Sequence, residues 1–462
     1  MPLMLPADSM FLIGESREHP LHVGGLQLFR KPPGAGPDYV GELFRELLTH
    51  TDVRPLLRRR PADPVSIAGQ LWWTDDRDID LEYHVRLSAL PRPGKVRQLL
   101  ELVSRLHGTL LDRHRPLWEF TLIDGLEGDR FATYTKVHHA IVDGVAAMAL
   151  LAEMMSPDPD VRGIPPVWAD RPERRSTGGR SKGVAELLAT AVKALPDTAR
   201  DVAGVAGAAA TLFGRAIQQD TAGLPFRAPR TMLNVPITGG RRFAADSWPI
   251  ERLRAVGDAV GATINDVVLA MCSGALRRYL AEHQQLPDRS LVAAVPVSVR
   301  AEGTGTRGGN SIGMVLCPLA SDLTDPVARL VSINRTMTET KEQLAGLSPV
   351  QVQMLAATQA IVPLLVNMTP GSNHLVAPTF NLFISNVPGP RERLYWNGAE
   401  LLGTYPVSIP FENQALNITV TSYAGSMEFG LVGCRRSVPR LQRLLGHLED
   451  SLAELEKEVL VD

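Results

Sequence analysis

Two adjacent histidines, His138 and His139, stand five and four positions before a carboxylate, Asp143, which Gly144 follows. Such a set is suited to moving a proton off a hydroxyl. Unperturbed imidazole titrates near ~6.5, so a neutral ring able to accept a proton is available near neutral pH, and general-base catalysis contributes on the order of 100- to 10,000-fold in rate. Metal binding is the chemical competitor. Neighbouring residues on a strand diverge, and neither a His-x-x-x-His pair nor a Cys pair accompanies these histidines, so no metal is expected. For the heptapeptide alone, a satisfied core histidine beside an ordinary helix cap is the remaining reading.

The flanking residues say how the motif is held. Phe131, Thr133, Thr135, Val137 and His139 alternate with Ala132, Tyr134, Lys136 and His138, the two-residue period of a strand, which sends the two imidazoles to opposite faces. Downstream, Val145-Ala146-Ala147-Met148-Ala149-Leu150-Leu151-Ala152 is rich in helix formers, so Asp143 falls where an N-cap belongs. Gly144 leaves room for a substrate or another backbone to come close.

The string resembles the HHxxxDG signature of the CoA-dependent, chloramphenicol acetyltransferase-like acyltransferase superfamily. More of the chain resembles one branch, the bacterial wax ester synthase/diacylglycerol acyltransferase family. The similarity begins at Asp8-Ser9-Met10-Phe11 and His19-Pro20-Leu21-His22-Val23-Gly24, and continues through Leu111-Asp112-Arg113-His114-Arg115-Pro116-Leu117-Trp118-Glu119. It resumes at Asn265-Asp266-Val267-Val268-Leu269-Ala270 and Ser385-Asn386-Val387-Pro388-Gly389-Pro390, and ends with Leu416-Asn417-Ile418-Thr419-Val420-Thr421-Ser422-Tyr423. Nearly the whole chain is covered.

This resemblance implies a mixed α/β (α+β) fold of two chloramphenicol acetyltransferase-like domains, with a substrate tunnel between them and the histidine motif at its middle. It also implies roles. His139 matches the second histidine of the signature, the base that takes the acceptor's proton as its oxygen attacks the acyl-CoA thioester; His138 supports geometry, and Asp143 holds the loop. Asn265, Asp266 and Asn386 match the substrate-binding set, the two asparagines as donors to the oxyanion. Pro116, Leu117 and Trp118 match a segment linked to the acceptor or acyl chain, for which an apolar edge with an indole is fitted.

Two departures from the pattern affect substrate identity. Many relatives carry glycine near Glu412-Asn413-Gln414-Ala415, where bulkier residues narrow or reshape a pocket. The superfamily's Asp-Phe-Gly motif is matched only loosely, by Glu428-Phe429-Gly430, and no function is read from it.

Composition agrees with a large globular enzyme. At 462 residues, 44% hydrophobic and 21% charged, the chain is too long for one core. A net charge of -2 gives no reason to expect a nucleic-acid partner. Cationic candidates for the CoA phosphates are Arg241-Arg242, Arg300, Arg307, Arg391 and Arg393, with Arg58-Arg59-Arg60 in the first half; none is singled out. Cys272, Cys317 and Cys434 are far apart, and the N-terminal Met1-Pro2-Leu3-Met4-Leu5-Pro6 lacks the features of a signal peptide, so a cytoplasmic protein is expected.

Residues 156–182 run through Pro157, Pro159, Pro165, Pro166 and Pro172 with many charges and Gly178-Gly179, the composition of an exposed linker. Residues 184–218 read as two apolar helices broken at Pro196. The second, 202–214, is too short to cross a bilayer, which takes about 20 apolar residues. A cover for the protein body is its first reading, and peripheral contact with a membrane or lipid droplet its second. The chain therefore divides into 1–155, a Pro-rich and helical linker 156–230, and 231–462. In the last part, 250–260, 264–282 and 438–459 read as helices, while 291–299, 311–319, 380–385 and a pair about Ala424-Gly425-Ser426 read as strands.

The expected activity is transfer of a long-chain acyl group from acyl-CoA, as co-substrate, to diacylglycerol or a long-chain alcohol, with no resident cofactor. Two alternatives are a stand-alone condensation-type enzyme using a carrier-bound donor and a non-catalytic lipid-droplet protein. An intact His138-His139 and Asp143-Gly144 argue against the latter.

Overall fold

The computed structural model describes residues 3–4, 6–63, 66, 71–142, 144–170, 228–299, 311–345 and 377–460. In chain order its strands are β1 (His22–Arg30), β2 (Arg59–Pro61), β3 (Trp73–Asp75), β4 (Val85–Ala89), β5 (Trp118–Leu126), β6 (Arg130–His138) and β7 (Arg241–Pro249). They continue with β8 (Val292–Val299), β9 (Ser311–Pro318), β10 (Leu382–Val387), β11 (Tyr395–Trp396), β12 (Ala399–Val407), β13 (Leu416–Tyr423) and β14 (Ser426–Cys434). One six-stranded sheet runs β11-β12-β1-β6-β5-β4 and a second β7-β14-β13-β10-β8-β9, while β2 pairs with β3.

Strand β6 is buried from Phe131 to His138, as a central strand covered on both faces must be. On one side of its sheet, Phe29, Phe120, Phe131, Trp118, Trp168 and Trp396 form an aromatic core. The second half is built round the helix Ile264–Glu282. Thr263 caps it reciprocally with Asp266, and the preceding helix Ile250–Val260 stops at Gly261, whose φ of 69° is the left-handed conformation that glycine adopts freely. Leu269, Leu276, Leu448 and Leu452 join this helix to the closing helix Arg443–Leu460. The hairpin β13–β14 turns through Ala424 and Gly425, both at positive φ.

The two sheets are not drawn each from one half of the chain. Strand β12, from the C-terminal half, pairs antiparallel with β1 from Gly24↔Val407 to Arg30↔Glu400, so the first sheet is completed by residues nearly four hundred positions away. A mixed apolar cluster seals this junction: Leu26, Leu99, Val103 and Tyr134 meet Phe243, Val407 and Val432. The Ser104 hydroxyl accepts the Phe243 N–H at 2.8 Å.

The reading of 156–182 as an exposed linker holds for 157–163, which are exposed, and fails for 166–169, which are buried. Trp168 is fully buried against Trp118, Ser156 exchanges backbone hydrogen bonds with Tyr395, and Asp170 N–H donates to the Asp52 carbonyl. Proline brings no N–H to satisfy, so a Pro-rich segment can lie against a core at little cost in orphaned donors. The overlooked sign was Val167-Trp168, an apolar pair in a polar stretch. The apolar pair read over 184–218 lies outside the described residues. Among those described, no single helix is long and apolar enough to cross a membrane.

Candidate active site

Strand β6 ends at His138, and the chain turns through 139–141 into the helix Gly144–Ala152. The expected strand, turn and helix are all present; Asp143 lies outside the described residues. An added Cβ at Gly144 would meet no described atom within 4 Å.

The two histidines differ in their surroundings, His138 closing the strand and His139 opening the turn. His138 is fully buried and His139 partly exposed. His138 takes the Ala140 N–H on Nδ1 at 3.1 Å, which makes Nδ1 an acceptor and puts the ring proton on Nε2. That nitrogen faces the Glu15 carboxylate at 3.4 Å, a close electrostatic contact rather than a well-aligned hydrogen bond. His139 donates its backbone N–H to the Leu21 carbonyl at 3.0 Å, and its ring stacks on Phe11 with centroids 4.2 Å apart and planes 19° from parallel.

Glu15 is the most connected group beside the motif. Its carboxylate accepts the Leu21 N–H at 2.9 Å and the Arg113 guanidinium at 3.0 and 3.2 Å. Burial pushes its pKa up, but the His138 ring, the Leu21 N–H and Arg113 together outweigh burial and hold the carboxyl below the usual glutamate range.

Behind the motif lie two more buried histidines. His22, paired with His138 across β1 and β6, shares a 2.8 Å hydrogen bond between its Nε2 and the His107 carbonyl. His107 bonds the Tyr134 hydroxyl at 2.8 Å and the Ser408 carbonyl at 2.9 Å. Burial drives the pKa of His22 well down and that of His107 to about 3, so both rings are neutral struts. Lys136, also buried, meets Glu119 at 2.9 Å and the carbonyls of Leu106 and Thr109, while burial lowers its pKa.

The Pro116-Leu117-Trp118 segment leads into β5. Trp118 is 1% exposed, its indole N–H donates to the Leu57 carbonyl at 2.8 Å, and its ring stacks on His84 and Trp168. Trp118 is packed as a core tryptophan. Pro116 is buried too, and Leu117 is fully buried, packing with Met4, Leu12, Leu111 and Ala140 and offering its carbonyl to the His138 N–H at 2.9 Å. The segment holds the backbone of His138.

Asn265 and Asn386 are brought together, the Asn386 side chain donating to Asn265 Oδ1 at 3.3 Å. Asp266 caps the helix Ile264–Glu282, with its Oδ1 buried and without a hydrogen-bond partner among the described residues. It is fully buried, and its Oδ2 accepts from Thr263 N, Thr263 Oγ1 and Asn334 Nδ2 at 2.9, 2.7 and 3.0 Å.

Of the phosphate candidates, Arg241 is buried and spends its guanidinium on the Thr238 and Glu18 carbonyls. Arg58 and Arg60 meet Asp52 and Asp76, and Arg393 meets Glu400. Arg300 and Arg307 lie outside the described residues. Where the resemblance expects glycine, Glu412 bonds His19 at 2.5 Å and accepts the Ile237 N–H at 3.2 Å, tying the N-terminal loop to the C-terminal half. Among the described residues no group of three or more His, Cys, Asp or Glu has the arrangement of a metal site.

Sequence reasoning missed Glu15, Phe11, His22, His107 and the role of Arg113. Phe11, His22 and Arg113 lie inside stretches that carried the resemblance; Glu15 and His107 had no local sign.

Two such sheets, with a paired-histidine motif at the end of a central strand, define the condensation-domain-like acyltransferase fold. The starter condensation domain of rhizomide synthetase, solved with C8-CoA and Leu-SNAC, has this fold at a TM-score of 0.56 and 12% identity over 99% of this chain and 94% of that one. A wax ester synthase/diacylglycerol acyltransferase from Marinobacter aquaeolei VT8 superposes at a TM-score of 0.81, with 43% identity and both chains fully covered. A protein of Mycobacterium tuberculosis named a probable diacylglycerol O-acyltransferase is 49% identical over 459 residues, 99% of this chain and all of the relative. The wax ester synthase/diacylglycerol acyltransferase catalytic domain matches residues 4–268, and that family's C-terminal domain matches 308–456. The chain belongs to the wax ester synthase/diacylglycerol acyltransferase family and is an acyltransferase.

Proposed function

We propose that this acyltransferase moves a long-chain acyl group from acyl-CoA to the hydroxyl of diacylglycerol, with long-chain alcohols as second acceptors, and that His139 is the general base. The observation that carries the reading is the contrast between the two histidines. His138 is buried, its Nδ1 taking the Ala140 N–H and its Nε2 facing Glu15, whereas His139 is partly exposed in the turn that leads into a helix.

In the proposed reaction the His139 ring takes the acceptor's proton as the alcohol oxygen attacks the thioester carbon. The tetrahedral oxyanion collapses with departure of the CoA thiolate, which recovers the proton from the imidazolium. No acyl-enzyme or resident cofactor is required. Both substrates meet in a tunnel between the two sheets, where alignment supplies several kcal/mol of the barrier reduction. Asn265 accepts in its bond with Asn386, so its own amide N–H groups are the proposed oxyanion donors. Asp143 is proposed to hold the turn.

Diacylglycerol and acyl chains partition into lipid, so the reaction is proposed to take place in the cytoplasm, at the inner face of the membrane or on lipid droplets, through peripheral contact. The test is purified protein with labelled palmitoyl-CoA and dioleoylglycerol, hexadecanol or no acceptor, beside the same acyl group on a carrier protein. Triacylglycerol or wax ester formed from palmitoyl-CoA is the expected result. Ester from the carrier-bound donor alone, or no ester at all, overturns it.

A further inference from the structure

One short N-terminal segment touches the histidine motif at three points. Phe11, on the helix Pro6–Gly14, stacks on the His139 ring. Leu21, just before β1, takes the His139 backbone N–H. Glu15, between them, presents its carboxylate to His138 Nε2 and to the Leu21 N–H at once. A single buried carboxylate thus meets the ring of one histidine and the peptide that holds the backbone of the other.

Glu15 is itself fixed. Its side chain is 1% exposed, and Arg113, from the loop ahead of β5, bonds it through both Nε and Nη2, with a further contact to the Glu15 carbonyl. A buried carboxylate without a cation would be costly; paired with Arg113 it stays ionised and immobile. Ionised, it can only accept. That matches the Nε2–H tautomer required by the Ala140 N–H on Nδ1.

We propose that Glu15, clamped by Arg113, is a positioning residue for acyl transfer: it locks the tautomer and place of His138 and the Leu21 peptide, and through them the direction of the His139 ring. The inference rests on His139 being the base. It does not make Glu15 the orienting carboxylate of a serine-protease-type triad, because Glu15 faces the histidine next to the base.

The consequence is an effect on turnover with little effect on binding. Steady-state kinetics with palmitoyl-CoA and hexadecanol would be measured for Glu15→Ala, Glu15→Gln and His139→Ala, with circular dichroism and thermal unfolding as controls for the fold. Glu15→Ala is expected to lower kcat on the order of 100-fold with both KM values within about twofold, and Glu15→Gln, which keeps an acceptor at Oε1, to recover at least about tenfold of that loss. A folded Glu15→Ala protein with unchanged kcat, or one in which KM alone rises, overturns the positioning role while a dead His139→Ala leaves the base assignment standing. Turnover that survives in His139→Ala overturns the base assignment instead.

Should Glu15→Ala not fold, the wild-type protein still decides. Histidine ring 15N spectra, with His138 assigned by its loss in His138→Gln, are expected to show a protonated Nε2 and an unprotonated Nδ1. The opposite tautomer, or an averaged ring, contradicts the clamp.

Discussion

His138 and His139 are chemically the same but differ in surroundings, because His138 ends a buried strand while His139 lies in the turn that follows, partly exposed and stacked on Phe11. The same logic separates residues that support the site from residues free to touch a ligand: a side chain whose polar atoms and faces are already spent cannot bind substrate. Trp118→Phe should therefore lower stability by about 1–3 kcal/mol, through loss of the Leu57 hydrogen bond and stacking area, without changing either KM. Urea unfolding beside steady-state kinetics checks this, and an altered KM with unaltered stability would restore Trp118 to the ligand edge. Asp266→Ala should cost at least about 1–3 kcal/mol, because the Thr263 N–H and hydroxyl and the Asn334 amide lose their acceptor together. Full stability in that variant would show that the cap is dispensable.

At the scale of elements, the strand into the motif, the helix after it, the helices 250–260 and 264–282 and the turn at Ala424-Gly425 were all legible in the sequence, because each leaves a local period or a turn residue. The closing helix starts later than read, at Arg443, since the apolar positions at Val438 and Leu441 are buried before the helix begins. What stayed hidden depends on distant partners. Nothing near 399–407 says that β12 crosses to the first sheet, and nothing near Glu15 announces His138. Glu428 shows the same blindness. Its Glu-Phe-Gly looked like a degenerate motif, yet it packs where β14, β7 and β12 converge, bonded by Ser247, whose hydroxyl also meets Tyr405 at 3.0 Å.

Burial lifts the Glu428 carboxyl to about 7 despite the bonds from Ser247 and Tyr405 that pull it down. Between the ordinary glutamate value and about 7, the folded protein holds a proton that the unfolded chain has released. Its contribution to stability is therefore complete at low pH and lost as pH rises through about 7. Relative to wild type, Glu428→Gln is expected to be more stable at pH 8 than at pH 5 by about 2.5 kcal/mol, read by urea unfolding at both values. The same difference at both pH values would contradict a buried acid titrating near neutrality.

At the scale of the whole molecule, the strand exchange makes the two halves one folding unit. Residues 1–230 alone would leave β1 with an unpaired edge where β12 belongs, and would expose the apolar junction that Phe243, Val407 and Val432 cover. That fragment is expected to aggregate or to lack a cooperative unfolding transition, by light scattering and calorimetry. A soluble fragment with a sharp transition would show that the first sheet closes without β12. The exchange also bears on chemistry, since His107, a strut behind the motif, bonds the carbonyl of Ser408 just after β12. The C-terminal half thereby helps to hold the strand and turn that carry the paired histidines of the N-terminal half.

The proposal that the partly exposed His139 imidazole is the general base is tested most directly by the rate of ester formation from labelled palmitoyl-CoA and dioleoylglycerol in His139→Ala. With an unfolding transition like that of wild type, turnover should fall on the order of 100- to 10,000-fold. Turnover within a few-fold of wild type would show that the proton leaves the acceptor by another route.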